Sequence, residues 1–327
     1  MTTPGFGADV LLSLLVVALA LAVYSRLRAI TIDGIYPPTG TRRAVDGTAV
    51  HFVDVPADRP DAPVLVLIHG ASGNLRDPML ALRARLQGRY RLLLVDRPGH
   101  GWSARAGRGD AAPTAQAGRI AGLMSELGIG RAIVLGHSWG GSVAAAFAVH
   151  HPEKTAGLVF LAPATHPWEG GVTWYYRLAA MPVIGRIFCE VLVLPIAKLA
   201  RDRGIRSVFS PAEPPDDYAE DAHIDLSLRP ATFRANAEDI AGLIGHVTAL
   251  SPRYREISAP TAIIADDADR IVYTHIHSVG LERDIAGARL IRVADAGHMP
   301  HHTRTDTVVA AIDEVAARGE EPAETVA

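Results

Sequence analysis

One cysteine, Cys189, stands in a chain of 327 residues. An intrachain disulfide and any cysteine-based zinc cluster are thereby excluded, while a lone reduced thiol is compatible with every compartment. Charge of one sign is missing too. The 32 basic and 35 acidic side chains are spread along the chain to a formal net charge of −3, with no long block of either kind. Without a basic stripe, nucleic acid is not expected as a partner. No internal repeat is present, so a repeat architecture is not expected either. What is present, 49% hydrophobic and 20% charged residues, is the composition of an ordinary globular protein with a large core.

The longest apolar run is "VLLSLLVVALALAVY", Val10 to Tyr24. As a helix rising about 1.5 Å per residue it would cover roughly 22 Å, short of a bilayer core of about 30 Å. No Lys or Arg precedes it and Asp9 does, whereas Arg26 and Arg28 follow at once. That polarity is wrong for a secretory signal with a basic leader and favours a membrane anchor with its C-terminal side in the cytoplasm. A cleaved signal, with Ala18-Leu19-Ala20 as cleavage site and an exported product, and a helix packed on the domain's own surface are the alternatives.

After "YPPTG" (Tyr36 to Gly40) a rhythm begins. "TAVHFVDV" (Thr48 to Val55) alternates, and "PVLVLIHG" (Pro63 to Gly70), "YRLLLVDRPG" (Tyr90 to Gly99), "RAIVLGHS" (Arg131 to Ser138) and "AGLVFLAPA" (Ala156 to Ala164) are short apolar runs ending in turn residues. Helix-like stretches at Met79 to Gln87, Thr114 to Leu127 and Gly140 to His150 lie between them. Such alternation predicts an α/β fold, a mostly parallel, doubly wound sheet covered on both faces. The rhythm stops after Ala164 and returns at "PTAIIADDADRI" (Pro260 to Ile271), "ARLIRVADAGH" (Ala288 to His298) and a helix from about Thr303 to Ala317. The stretch between carries Trp168, Trp174, Tyr175 and Tyr176 and reads as a helical insertion.

"GHSWG" fits G-x-S-x-G between a predicted strand and a predicted helix, the setting of a nucleophile elbow. A serine hydroxyl is a weak nucleophile, so Ser138 needs a general base and an orienting acid, expected later in the chain in the order Ser, Asp, His. His298 follows the last predicted strand in "ADAGHMPH", and Asp269 follows "TAII" in "DDADRIV", with Asp266 and Asp267 beside it as competitors. All of these fall beyond the carboxyl ends of strands, where open α/β sheets bind ligands. Two backbone N–H donors are also required for an oxyanion: Trp139, after the serine, and Ala71 in "IHGASGN" are the candidates. His298, His301 and His302 form an H-x-x-H-H run, but no carboxylate or cysteine stands close enough to complete an obvious metal site. A hydrolytic Ser-His-Asp mechanism needs no metal, so neither metal nor cofactor is expected.

"HGASGN", "DRPGHGWS", "GHSWGG", "DDADRIV" and "AGHMPH" occur in an order and spacing that resembles the α/β-hydrolase fold family, over about Arg42 to Ala317. The resemblance is closest to its capped serine esterase and lipase-like branch. It implies Ser138 as nucleophile, His298 as base, Asp269 as acid, and Trp139 with Ala71 as oxyanion donors. It also implies loop hydrogen bonding for His69, His100 and His137. Some family members place the acid after the strand that here ends in "LAPA", but Ala162 to Thr165 holds no carboxylate. Family epoxide hydrolases and haloalkane dehalogenases carry aspartate where this chain has Ser138, which argues against those activities. The expected organisation is an N-terminal hydrophobic segment (1–30), a core (31–164), a helical cap (165–250), the rest of the core (251–318) and a flexible tail (319–327). The expected reaction is hydrolysis of a carboxylic ester through an acyl-enzyme, on a small-molecule, apolar substrate. Amide, lactone, thioester or carbon–carbon cleavage by the same residues, and a ligand-binding receptor on the same fold, are the rival readings.

Overall fold

The computed structural model describes residues 6–320; the last seven residues of the expected tail and the first five of the chain lie outside the described residues. Eight strands form one sheet: β1 (Thr41–Val45), β2 (Thr48–Val55), β3 (Val64–Ile68), β4 (Arg91–Val95), β5 (Ala132–His137), β6 (Thr155–Leu161), β7 (Thr261–Ala265) and β8 (Arg289–Arg292), in the order β1-β2-β4-β3-β5-β6-β7-β8. β2 pairs antiparallel with β1 and β4, and every other neighbour is parallel. The sheet is therefore mostly parallel and doubly wound.

The antiparallel start follows from "DG": Asp46 and Gly47 both adopt positive φ, 48° and 75°, the geometry a two-residue hairpin turn requires. Nothing in the sequence pattern marks β1 as a strand, because it is exposed for four of its five residues and carries Arg42 and Arg43. Burial, not local pattern, makes the other strands legible. Alternate residues of each central strand face opposite sides: Val66 and Ile68 pack with Ile120 and Leu123 of α3 (Pro113–Glu126) and Phe147 of α4 (Trp139–His150). Leu65 and Leu67 pack with Leu82 and Leu86 of α2 (Arg76–Leu86) and with residues of the last helix. An all-apolar strand is the natural consequence of burying both faces.

α1 (Phe6–Ile35) is longer than the apolar run in both directions. It continues through Arg26 and Arg28, good helix formers, and stops before Pro37 and Pro38, where the residue preceding proline leaves the helical region. Between β6 and β7 the chain runs through α5 (Trp174–Ala179), α6 (Ile184–Phe188), α7 (Leu194–Phe209), α8 (Tyr218–Asp221) and α9 (Pro230–Leu250), and no residue from 162 to 260 joins the sheet. Three further helices follow among the described residues: α10 (Thr274–Asp284), α11 (Pro300–Thr303) and α12 (Thr305–Glu320). β4 and β5 flank β3 on opposite sides, so the winding reverses between β3 and β5. The carboxyl end of β5 lies at that crevice.

Candidate active site

β5 ends at His137, and the next residue turns sharply into α4. Ser138 holds φ 51° and ψ −119°, a conformation that L-residues rarely adopt and that costs on the order of 1–3 kcal/mol. Two glycines make the corner possible. A Cβ on Gly136 would lie 2.4 Å from the Gly140 carbonyl oxygen, and one on Gly140 would lie 2.6 Å from the carbonyl oxygens of Ile68 and His69. The corner is pinned to β6, since Ser138 N–H donates to Leu161 at 2.9 Å and the Ser138 carbonyl accepts from Ala164 at 2.9 Å.

Residues far apart in sequence meet at this corner. Ser138 Oγ donates to His298 Nε2 at 2.8 Å, and His298 Nδ1–H donates to Asp269 Oδ2 at 2.7 Å, with all three side chains buried. The carboxylate fixes the tautomer: with the proton on Nδ1, Nε2 carries the free lone pair toward the hydroxyl. Asp269 is itself held by N–H groups of Ile271 and Val272 on Oδ1. Its two competitors do other things. Asp267 is exposed and pairs with Arg292 at 3.3 Å. Asp266 is buried and accepts from the N–H groups of Ala296 and Gly297 on Oδ2 and of Ala268 on Oδ1, fixing the loop that presents His298.

Trp139 is the first residue of α4, directly after Ser138, and the Gly141 N–H of the same turn donates to the Ser138 carbonyl at 2.9 Å. The loop after β3 closes on the other side: a Cβ on Gly70 would lie 3.1 Å from Ser138 Cβ, and Ala71 is the next residue of that loop. Arg97, in the loop after β4, holds this turn by donating to the carbonyls of His69 (3.1 Å) and Gly70 (3.1 Å), and stacks 4.2 Å over the Trp139 ring. Arg97 N–H donates to His69 Nε2, and His69 Nδ1–H donates to the Gly70 carbonyl. Burial first, and the Arg97 charge second, lower the His69 pKa to about 4, so the ring stays neutral. From the helical excursion, Asn236 accepts the Ser72 N–H at 2.8 Å.

The histidine run holds one residue that sequence reading missed. His301 and His302 donate through Nε2 to the two oxygens of Asp77 on α2, at 3.0 and 2.9 Å, and Tyr218 O–H donates to the same carboxylate at 2.7 Å. Burial would push Asp77 up; the charge and hydrogen bond of His301, with those of His302, outweigh it and hold the carboxyl well below its ordinary range. Among the described residues, Asp77, His137 and His301 offer ligand atoms within 4.8 Å of one another, so a carboxylate does stand beside the histidines after all. It lies 224 residues before His301 in the chain, which no local pattern betrays. With three donors already on Asp77, the cluster ties α2, α8 and the His298 loop together. His137 contributes to the same loop, donating from Nε2 to the His298 carbonyl at 2.9 Å.

Ser138 is 7% exposed. The aromatic residues of the helical excursion between β6 and β7 take different positions. Tyr176 stacks on Phe233 and Trp168 N–H donates to Gly171, whereas Trp174 is 68% exposed and faces outward. A cleft of about 340 Å³ lined by Arg131, Thr155 and Pro260 opens at the opposite end of the parallel strands and shares no residue with the Ser138 corner.

The alpha/beta hydrolase family model matches residues 65–311. The magnesium-chelatase 30 kDa subunit of Rhodobacter capsulatus is 30% identical over 292 residues, covering 85% of this chain and 95% of that protein. A 2-hydroxy-6-oxononadienedioate/2-hydroxy-6-oxononatrienedioate hydrolase of Klebsiella pneumoniae is 25% identical over 67% of this chain and 73% of its own. Among solved structures, a thermophilic esterase from Thermogutta terrifontis superposes with a TM-score of 0.68 at 23% identity, over 86% of this chain and 100% of that one.

Proposed function

Starting from the fact that the chain belongs to the alpha/beta hydrolase family and is a hydrolase, we propose that it cleaves a carboxylic ester through an acyl-enzyme on Ser138. The observation that carries this reading is the hydrogen-bonded chain Ser138 Oγ, His298, Asp269 at a strained strand-to-helix corner. His298 Nε2 takes the hydroxyl proton as Oγ attacks the carbonyl carbon, and Asp269 stabilises the imidazolium that forms. The N–H groups of Trp139 and Ala71 hold the oxyanion of the tetrahedral intermediate. Collapse expels the alcohol, which takes the proton from His298. Water, deprotonated by the same nitrogen, then attacks the acyl carbon, and the acid leaves.

The helices from α5 to α9 act as a cap over Ser138, and the apolar substrate enters beneath them. α1 serves as a membrane anchor with the hydrolase domain on the cytoplasmic side. It is long and apolar enough to cross a bilayer, only 6% of its apolar window is buried, and its positive charges follow the apolar run. Recovery of full-length, uncleaved protein in the soluble fraction without detergent would contradict the anchor.

A panel of esters of increasing acyl length, assayed with wild type and Ser138→Ala, tests the reaction. Turnover that rises with acyl length and disappears in the variant supports it; no turnover of any ester, with cleavage of an amide, thioester or carbon–carbon bond instead, transfers the same chemistry to that bond. A second reading follows from the near full-length match to a magnesium-chelatase subunit: a role as a subunit of such an assembly. The serine, histidine and aspartate would then be bystanders, and Ser138→Ala would leave that role intact.

A further inference from the structure

Outside α1, exposed large apolar side chains gather in one part of the cap. Val183, Ile187, Ile196 and Leu199 are 69%, 58%, 55% and 87% exposed, and Trp174 is 68% exposed. Their spacing is helical: Val183 and Ile187 are four apart, and Leu192, Ile196 and Leu199 follow at four and three, so each group forms a stripe on one face. Water-facing stripes of this kind mark an interaction surface.

Two further observations say what covers it. The final third of α1 packs on this same segment: Ser25 is fully buried, Ile32 shares an apolar cluster with Leu194, and Arg26 pairs with Glu190 at 3.2 Å. The exposed apolar surface of α1, from Val10 to Tyr24, is therefore joined to the cap stripe at residues 189–194. Residues 174–209 also carry six basic side chains (Arg177, Arg186, Lys198, Arg201, Arg203, Arg206) against two acidic ones (Glu190, Asp202), in a chain whose net charge is −3. Arg201 is engaged with Asp202, Glu220 and Asp225, and Glu190 with Arg26, while Arg177, Arg186, Arg203 and Arg206 are exposed.

Apolar stripes flanked by arginines and continuous with an apolar helix match the interfacial region of an anionic bilayer, where an amphipathic surface sinks about 5–10 Å among headgroups and acyl chains. We propose that the cap face formed by residues 181–199 is seated in an anionic phospholipid membrane beside α1, so that an apolar ester passes from the bilayer to the cap without crossing water. This rests on the reading of α1 as a membrane anchor.

The test uses the full chain in vesicles of phosphatidylcholine with phosphatidylglycerol. Single variants Leu199→Cys, Ile187→Cys, Val16→Cys and Arg59→Cys are labelled with an environment-sensitive maleimide. Native Cys189 is buried, and burial pushes its thiol up to about 12, so it does not compete. Quenching is read with a nitroxide on the upper acyl chain. The proposal expects labels at 199, 187 and 16 to lose on the order of half their emission or more, and a label at 59, on the far end of the sheet, to lose little. Quenching at 16 without quenching at 187 and 199 overturns the cap proposal and leaves the anchor standing. No quenching at any site overturns both. A label at 199 that is shielded in proportion to protein density and untouched by the nitroxide also overturns it, and identifies a second copy as the occupant.

Discussion

Arg97 Nη1 lies 2.6 Å from Asp239 Oδ2, and both side chains are completely buried. Arg97 belongs to the loop after β4 and Asp239 to α9, so the pair joins the sheet to α9. The same guanidinium donates to the carbonyls of the turn that carries Ala71. Asp239→Asn leaves the buried Arg97 without its counter-charge, a loss of about 3–5 kcal/mol. Urea unfolding should show a large fall in midpoint. Removing the exposed partner Arg59 of Asp61, by contrast, should leave the midpoint where it was.

The three aspartates after β7 should separate cleanly. Asp269→Asn can turn its amide toward His298 and favour the wrong tautomer, with a loss on the order of 10³ to 10⁴ in kcat while the protein stays folded. Asp267→Asn should be near wild type. Asp266→Asn should act mainly on stability, by about 2 kcal/mol, since one of the N–H groups on its carboxylate loses its acceptor. Esterase kinetics beside urea melts of the three variants decide the assignment; a large kcat loss that tracked Asp267 would overturn it.

Ser138 and His298 should behave as one unit. Each alanine variant is expected to lose nearly all activity, and the double variant to be little worse than either. Losses that multiply would mean that the 2.8 Å hydrogen bond between them is not part of the reaction.

Acid should weaken the fold before the carboxylates titrate. Burial holds His69 and His277 at pKa values of about 4, whereas in the unfolded chain a histidine titrates near about 6.5. Between those values the unfolded state binds more protons than the folded one, so stability declines as pH falls, by up to about 1.4 kcal/mol per pH unit for each group, and levels off for these two below about 4. Asp77, held low in the folded state, adds its own loss below the unfolded carboxylate value of about 3.9. Unfolding midpoints in urea at pH 7.5, 5.5 and 4.5 measure this, and a midpoint independent of pH would contradict it.

The parts of the molecule that sequence disclosed are those where chemistry is local. Ser138 announces itself because a corner at φ 51° needs glycines two before and two after it, and those glycines are visible as letters. β5 and β6 announce themselves because burial of both faces demands unbroken apolar runs. β1 did not, since an exposed edge strand places no demand on its side chains. Asp77 did not, because its partners are brought to it by the packing of α11 against α2. Asp266 was visible as a competitor for the acid, and its service to the Ala296–Gly297 amides emerges only from the crossing of two loops.

If Ser138 is an activated nucleophile, it reacts with a fluorophosphonate probe. Stoichiometric labelling of the native protein is expected, with the modified peptide containing Ser138, and no labelling of Ser138→Ala or His298→Ala. An unlabelled native protein, under conditions where the probe reaches a serine that is 7% exposed, or a label found on another residue, would contradict that reading.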